Sequence, residues 1–427
     1  MADRYIPTIK YSWLQGSFWM SFCIVFNYAS VFLLSRGYSN SQIGIVIAVA
    51  GVISTLLQPI VAGLADRSRR LTLRTLVMIL AVCMLAGGAA LLPGGLHFFC
   101  YALFYGILLA TLQILTPLIN AMGMECMNRG IPVNFGLARG IGSISYAVIS
   151  FLAGTYIERF STDVIVIPLL IVFCYLMVFV AAGCFLFRTE RGESHEMEHH
   201  TDENKLNCTE TERESSFFRT YKRFFVLLTG ISLLFICHNM LNNYLFQIMA
   251  YHKGGSREMG IASGLSAVLE LPIMIAFSFM IRKFSSRNLL RVSGVFFTVK
   301  AFLTLLAGNV MGIYLAQPAQ MLGFGLFVPA SVYYTNALIR PSDHARGQAF
   351  MTATNTIGSV FGSLLGGFLM DQEAGSGTGS ICSRDHTRIY FCPALRKRRK
   401  HNISQEMHHN VCIRKTIENT LCELLFS

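Results

Sequence analysis

Three ionisable side chains interrupt long apolar stretches of this 427-residue sequence. Glu270 has no other charged residue within ten positions on either side, Lys300 lies near the middle of a later stretch, and Arg139 follows a short polar connection. A charge at the centre of a membrane costs about 2.5–3.5 kcal/mol on insertion scales. Each of these side chains therefore needs an oppositely charged partner, a water-filled cavity or a functional role that compensates the cost. An ion pair between Glu270 and Lys300 would relieve both costs.

Two interpretations of this predicted pair stay open. Glu270 is either a proton carrier with Lys300 as its switchable partner, or one member of a fixed structural pair. Arg139 presents a planar fork of donors suited to sugar hydroxyls or a carboxylate, although an arginine in this place can also extend to the membrane interface. Glu125 is predicted as the partner of Arg139 or as a second proton site.

Neutral polar residues occupy further apolar stretches. His238, Asn239 and Asn242 are predicted to share one helical face, because they follow i, i+1 and i+4 spacing. Amides in contact with hydrocarbon would be unsatisfied, so this face should point into the bundle, together with Gln317 and Gln320. Such groups suit polyhydroxylated or base-like ligands, and hydrogen bonding between helices is the alternative.

Eleven apolar segments must position these residues. Each is about 20 residues or longer, enough to cross a bilayer core of ~30 Å as a helix. Their continuous apolar composition favours helices over a transmembrane barrel. The sequence therefore predicts an all-α polytopic membrane protein. The segments are 11–34, 42–62, 72–93, 97–123, 138–157, 164–187, 223–250, 259–281, 288–308, 311–337 and 347–370.

Composition and charge agree with a membrane protein. The chain is 53% hydrophobic and 14% charged, whereas about 25% charged residues is usual for soluble domains. Basic residues concentrate in alternate connections, such as 67–74 and 282–287, which predicts a cytoplasmic N-terminus and a cytoplasmic middle connection. The net charge of +12 therefore does not indicate nucleic-acid binding. The twelve cysteines include no CxxC pair, so we predict no metal site and no cofactor.

The sequence divides into four regions. Residues 1–187 form a predicted bundle of six helices, 188–222 a polar cytoplasmic linker, 223–371 a bundle with five segments, and 372–427 an irregular basic tail. A twelfth segment is missing where the pattern requires one. We interpret the tail as an out-of-frame translation beginning near Asp371; a polybasic segment that binds anionic lipid is the alternative. The next reading frame should then encode an apolar stretch of ~20 residues.

Three stretches resemble the major facilitator superfamily, particularly the branch of lactose permease and related sugar or nucleoside proton symporters. Residues 63–70 (GLADRSRR) resemble the loop between the second and third segments. Residues 134–147 (NFGLARGIGSISYA) resemble the start of the fifth segment, and residues 292–300 (VSGVFFTVK) resemble the ninth. The resemblance covers about residues 10–371 and implies two six-helix bundles meeting at a midplane cavity.

This resemblance implies roles for individual residues. Arg139 and Tyr146 match positions that face the sugar in lactose permease, and Lys300 matches a functional arginine. The loop residues implied in conformational change are Asp66, Arg67 and Arg70.

The sequence also departs from lactose permease. Asn239 and Asn242 replace its two seventh-segment aspartates, while Gln320 and Gly323 replace the histidine and glutamate central to its proton coupling. The permease's coupling residues are therefore not copied, and Glu270 with Lys300 becomes the candidate for coupling.

Together these features predict a secondary active transporter that moves a small polar solute, such as a sugar, oligosaccharide or nucleoside, by alternating access and with protons. We expect a monomer in a bacterial cytoplasmic membrane. The alternatives are a non-transporting sensor and a nonfunctional truncated permease. No HExxH, GxSxG or pair of intramembrane aspartates occurs, so an enzyme is not predicted.

Overall fold

The computed structural model describes residues 5–67, 72–93, 95–129, 131–159, 165–185, 219–340 and 343–375. The regular structure in these residues is helical throughout, which confirms the predicted all-α membrane fold. The first half contains α1 (Ile6–Phe22), α2 (Ala29–Ser35), α3 (Asn40–Arg67), α4 (Leu73–Ala90), α5 (Phe98–Asn128), α6 (Phe135–Arg159) and α7 (Val166–Cys184). The second half contains α8 (Lys222–Asn243), α9 (Leu245–Tyr251), α10 (Ser256–Lys283), α11 (Ser286–Leu306), α12 (Val310–Ala316), α13 (Pro318–Gln320), α14 (Leu326–Leu338) and α15 (His344–Gly375).

The number of membrane-crossing helices is close to the predicted eleven. In the described residues, nine helical segments are long and apolar enough to cross a membrane, and α1 with α2 makes ten if that bent pair is one crossing. The eleventh predicted segment corresponds to α15, a 32-residue helix that is not among these ten. Its many Gly, Ser and Thr residues make it less apolar than the others. Residues 186–218 and 376–427, with most of the linker and tail, lie outside the described part.

Two transmembrane segments contain π-helical turns. The turn Cys23–Asn27 joins α1 to α2, which meet at an angle of 43°. The turn Met321–Gly325 follows the short α13 and precedes α14. A π-helical turn inserts an extra residue into the helical repeat and redirects the side chains beside it, and such turns are frequent at functional sites. Both turns lie near polar side chains that belong to the candidate site.

The two halves contact each other through two matched helix pairs. Helix α6 packs against α10, and α3 packs against α15. The helices approach so closely that a Cβ atom added at Gly260 would lie 2.3 Å from the Ser150 carbonyl oxygen. A Cβ atom at Gly44 would likewise lie 2.3 Å from the Ser363 carbonyl oxygen. Small residues permit this close packing in membranes, where van der Waals contact replaces the hydrophobic effect between helices.

A tyrosine hydroxyl lies beside each of these contacts and bonds within its own half. Tyr28 donates a hydrogen bond of 2.6 Å to the Ser150 carbonyl oxygen, and Tyr244 donates one of the same length to the Ser363 carbonyl oxygen. Each tyrosine follows an asparagine, Asn27 in the first half and Asn243 in the second. The matching contacts reveal an internal repeat of the two halves. Asn27 also bonds to Ser263 across the halves at 3.1 Å.

Two carboxylates cap the first turns of helices in the opposite half. Asp371, near the end of α15, accepts hydrogen bonds from the backbone N–H groups of Asn40 (3.0 Å) and Ser41 (2.8 Å) at the start of α3. Glu158, near the end of α6, accepts one from the backbone N–H of Arg257 (3.2 Å) at the start of α10. These carboxylate caps lie at the end of the molecule opposite the N-terminus. We call it the closed end, because hydrogen bonds between the halves gather there.

Candidate functional site

Five polar side chains form a hydrogen-bonded chain across four helical segments of the second half. Lys300 on α11 donates to the side-chain oxygen of Gln320 (2.6 Å) and to that of Asn242 (3.1 Å). The Gln320 amide nitrogen donates to Glu270 Oε1 at 3.0 Å, and the Asn242 amide nitrogen lies 2.9 Å from His238 Nε2. The structure therefore brings together residues that sequence analysis assigned separately to binding and to coupling.

The π-helical turn and its glycines allow this chain to form. Gln320 immediately precedes the turn Met321–Gly325. A Cβ atom at Gly325 would lie 3.3 Å from Glu270 Cγ, so the absence of a side chain there lets α10 approach the turn. Glu270 and Lys300 are 9% and 5% exposed, which makes their hydrogen-bond partners important to the stability of the fold.

The direction of the hydrogen bonds identifies the charge state of His238. Lys300 has no acceptor, so the Asn242 atom that faces it must be the amide oxygen. The other Asn242 atom is then the N–H donor, and His238 Nε2 must accept from it. An imidazole that accepts a hydrogen bond is neutral. His238 also lies between aromatic rings, with its ring stacked on Phe324 at 5.4 Å and edge-on to Phe297 at 5.0 Å.

The predicted ion pair of Glu270 and Lys300 is not a direct contact. Gln320 lies between the two side chains and bonds to both. The sequence shows two opposite charges on neighbouring segments, but the neutral amide of Gln320 occupies the space where a contact between them would form. Glu270 and Lys300 still influence each other electrostatically through this amide.

Arg139 is the main charged group that the first half contributes. Its guanidinium group stacks on the ring of Trp19 at 3.9 Å and donates to the Ser143 hydroxyl at 2.9 Å. Trp19 is held in turn by Gln15, whose oxygen accepts from the indole N–H at 3.0 Å. The Gln15 amide nitrogen donates to Asn120 on α5 at 3.2 Å, so three helices fix the position of Arg139.

Arg139 and Tyr146 lie on α6, which packs against α10, the helix of Glu270. Both side chains lie close enough to Glu270 to interact with it electrostatically. Tyr146 also has a hydrogen-bond contact with Cys23, at the π-helical turn of the first segment. Glu270 therefore lies between a cation of the opposite half and the polar chain of its own half.

Several predicted site residues lie elsewhere. Asn239 bonds to the Asn355 side-chain oxygen on α15 at 3.1 Å and does not join the hydrogen-bonded chain, so its binding role stays a prediction. Glu125 forms an ion pair with Arg129 one turn away, so its predicted pairing with Arg139 is wrong, while its alternative role as a second proton site stays a prediction. The i+4 spacing places Arg129 on the same helical face, which makes the local pair the easier one to form.

The remaining predicted residues are Gln317 and the three loop residues Asp66, Arg67 and Arg70. Gln317 is buried beside the chain, and its oxygen accepts from Ser266 at 3.0 Å. Asp66 and Arg67 lie in the last turn of α3, but their side chains are outside the described part of the chain. Arg70 is likewise outside the described residues. The loop prediction therefore stays a prediction.

Sequence analysis missed three residues that support Arg139, namely Gln15, Trp19 and Asn120. Two signals in the sequence point to them. Gln15 and Asn120 are amides within apolar segments, where an unsatisfied amide is costly. Trp19 lies in the middle of a predicted transmembrane segment, whereas tryptophans of membrane proteins concentrate at the interfaces.

Comparison with known proteins identifies the family. The model of the MFS_1 like family matches residues 11–378. The chain belongs to this family. The uncharacterised transporter YwbF of Bacillus subtilis (strain 168) is 22% identical over 340 residues, which cover 78% of this chain and 79% of YwbF. The prediction of a major facilitator transporter is thus confirmed at the level of the family.

Solved structures confirm the fold. The nucleoside transporter NupG superposes with a TM-score of 0.62 at 16% identity, covering 86% of this chain and 91% of NupG. The xylose transporter XylE from E. coli superposes with a TM-score of 0.57 at 12% identity, covering 89% and 98%. At these identities the likeness establishes the architecture of the chain and leaves its substrate open.

Proposed function

We propose that this family member is a proton-coupled secondary transporter of a small polar solute, in the class of sugars, oligosaccharides and nucleosides. One observation carries the proposal: Glu270 is a buried carboxylate located where Arg139 of one half faces the polar chain of the other. A carboxylate in this place interacts electrostatically with polar groups of both halves. Its protonation changes the interaction between them, as coupling of a proton to a conformational change requires.

The polar groups around Glu270 have complementary roles in this proposal. Arg139 and Tyr146 bind the solute from the first half, and Gln320 and Asn242 bind it from the second. Guanidinium, phenol and amide groups together offer both donors and acceptors for hydroxyl-rich solutes. A solute that contacts both halves stabilises conformations in which the halves are close, and so shifts the population between states.

The conformation of the molecule agrees with alternating access. The halves are joined at the closed end by the carboxylate caps and by the close contacts of α6 with α10 and of α3 with α15. If the N-terminus is cytoplasmic, as the distribution of basic residues predicts, the closed end faces outward and the structure is an inward-facing state. Opening to the outside then requires separation of α3 from α15 and of α6 from α10.

Proton-driven uptake into vesicles tests the proposal. We expect the chain to accumulate members of a sugar and nucleoside panel when the outside is acidic, and an uncoupler to abolish accumulation. Glu270→Gln should abolish accumulation while keeping exchange of solute between the two sides, because it removes the proton site and keeps hydrogen bonding. Glu125→Gln, in the separate pair with Arg129, should retain accumulation.

The two variants separate the possible outcomes. Accumulation that survives in Glu270→Gln and disappears in Glu125→Gln would assign coupling to Glu125. Binding without movement of any solute would contradict transport itself and favour a sensor.

A further inference from the structure

The candidate site carries more positive than negative charge. Its described residues include the cations Arg139 and Lys300 and the carboxylate of Glu270, while His238 is neutral because it accepts a hydrogen bond. Charged groups away from water require compensation, and an unpaired one is strongly destabilising. One positive charge therefore remains to be balanced.

Lys300 has no anion in direct contact among the described residues. Its described hydrogen bonds go to the neutral oxygens of Gln320 and Asn242, and the Gln320 amide separates it from Glu270. These contacts use two of the three N–H donors of an ammonium group. One donor is left for a ligand.

Arg139 has no anion in direct contact among the described residues either. Its guanidinium group lies on the face of Trp19 and donates to the Ser143 hydroxyl, both neutral groups. Glu270 acts on it only through the electrostatic field. A guanidinium fork binds a carboxylate through two parallel hydrogen bonds, so this group is also available to an anion.

We propose that the substrate carries one negative charge and is a hydroxylated monocarboxylate of the sugar-acid class. This inference rests on the proposed transport function and specifies the charge and functional groups of its small polar solute. A single carboxylate balances the single excess charge, and Arg139 and Lys300 supply its donors. The amides of Gln320 and Asn242 are suited to the hydroxyl groups of the same molecule.

Matched pairs of solutes provide the test. The full chain is reconstituted in liposomes, and exchange of labelled solute is measured without any gradient, so that membrane potential does not affect anions and neutral solutes differently. The pairs are glucuronate with glucose and gluconate with glucitol, whose members differ mainly in one carboxylate. We expect the carboxylate of at least one pair to exchange about tenfold faster than its neutral partner, a factor equivalent to one strong charge-assisted contact. The same carboxylate should raise the melting temperature of the purified protein.

A lysine variant tests the origin of the preference. Lys300→Met removes the excess charge and keeps an unbranched side chain, so the preference for the carboxylate should disappear. Lys283→Met is the control, because Lys283 lies over Phe279 at the end of α10, away from the site. This control should keep the preference.

The outcomes distinguish failure of the inference from failure of the proposed function. If the neutral solute of each pair exchanges as fast as the matching carboxylate or faster, the inference of a charged substrate is overturned. The proposed transport function is then unaffected. No exchange of any solute, in a panel extended to nucleosides and disaccharides, overturns the proposed function. If Lys300→Met fails to fold, the thermal shifts of the wild-type protein with each matched pair still decide between charged and neutral ligands.

Discussion

In the polar chain from Glu270 to His238, Lys300 is the first donor, and the hydrogen bonds run outward from it along two branches. Lys300 donates to two amides, and each amide then donates onward, one to Glu270 and the other to His238. Because an ammonium group has no acceptor, the orientation of both amides follows from its position. Replacing either amide disturbs the partners on both of its sides.

Two neighbouring asparagines test this arrangement. Asn242→Ala should weaken substrate binding about tenfold or more, because it removes a partner of Lys300 and leaves a buried donor unsatisfied, at a cost of roughly 1–3 kcal/mol. Asn239→Ala is the matched control, since Asn239 bonds to Asn355 on α15. Its substrate affinity should be close to that of the wild-type protein. Isothermal titration with a transported solute measures both, and equal losses would contradict the assigned geometry.

At the scale of helices, close approach at the closed end depends on residues without side chains. Gly44→Val should prevent α3 from reaching α15, because even a Cβ atom there would lie 2.3 Å from the Ser363 carbonyl oxygen. The closed end should then open. A cysteine introduced near the start of α3 should react faster with a membrane-impermeant thiol reagent in intact cells.

Gly63→Val supplies the control in the same helix. A Cβ atom at Gly63 meets no atom within 4 Å in the described structure. Labelling of the introduced cysteine should therefore stay at the wild-type rate. Equal labelling of both variants would show that the contact of α3 with α15 does not control access at this end.

The carboxylate caps stabilise the same closed end by a different interaction. Partial burial alone would raise the pKa of Asp371, but hydrogen bonds from Ser41 and Asn40 outweigh it and place the pKa below its ordinary value. Asp371 is therefore ionised at neutral pH, where its charge interacts favourably with the positive end of α3. A depressed pKa contributes stability above the ordinary pKa, and this contribution is lost only as the pH falls through the lowered value.

Asp371→Asn should shift the molecule toward opening at this end. Loss of a capping charge costs about 1 kcal/mol, which corresponds to a change of about fivefold in the ratio of closed to open molecules. Cysteine labelling should rise accordingly, and the rise should be constant between about pH 6 and 8, since Asp371 stays ionised there. Asp343→Asn, a carboxylate bonded to Tyr221 at the other end, should leave labelling unchanged. An increase confined to acidic pH would contradict the account.

At the scale of the whole molecule, the orientation in the membrane decides which side the closed end faces. The excess of basic residues in alternate connections predicts a cytoplasmic N-terminus and middle connection. Alkaline phosphatase, active only outside the cytoplasm, should therefore be active when fused after Gly37, in the connection of α2 and α3. The same reporter fused after His200, in the middle connection, should be inactive. The reverse pattern would make the structure an outward-facing state.

The class of the molecule and its most important charges can be predicted from the amino-acid sequence alone. Apolar segments of ~20 residues must form helices in a membrane, because no other single segment satisfies its own backbone hydrogen bonds there. Glu270, Lys300 and Arg139 stand out for the same reason, since a charge within such a segment is costly. These predictions depend only on the composition of a single segment, and they do not require knowledge of where the other segments lie.

Which side chains meet depends on how the helices pack against one another. Gln320 lies next to a π-helical turn and separates Glu270 from Lys300, and Asn239 bonds to α15 while Asn242 joins the site. Each of these outcomes depends on the rotation of a helix by a fraction of a turn. That rotation is set by packing against neighbouring helices, and no single segment of the sequence encodes it.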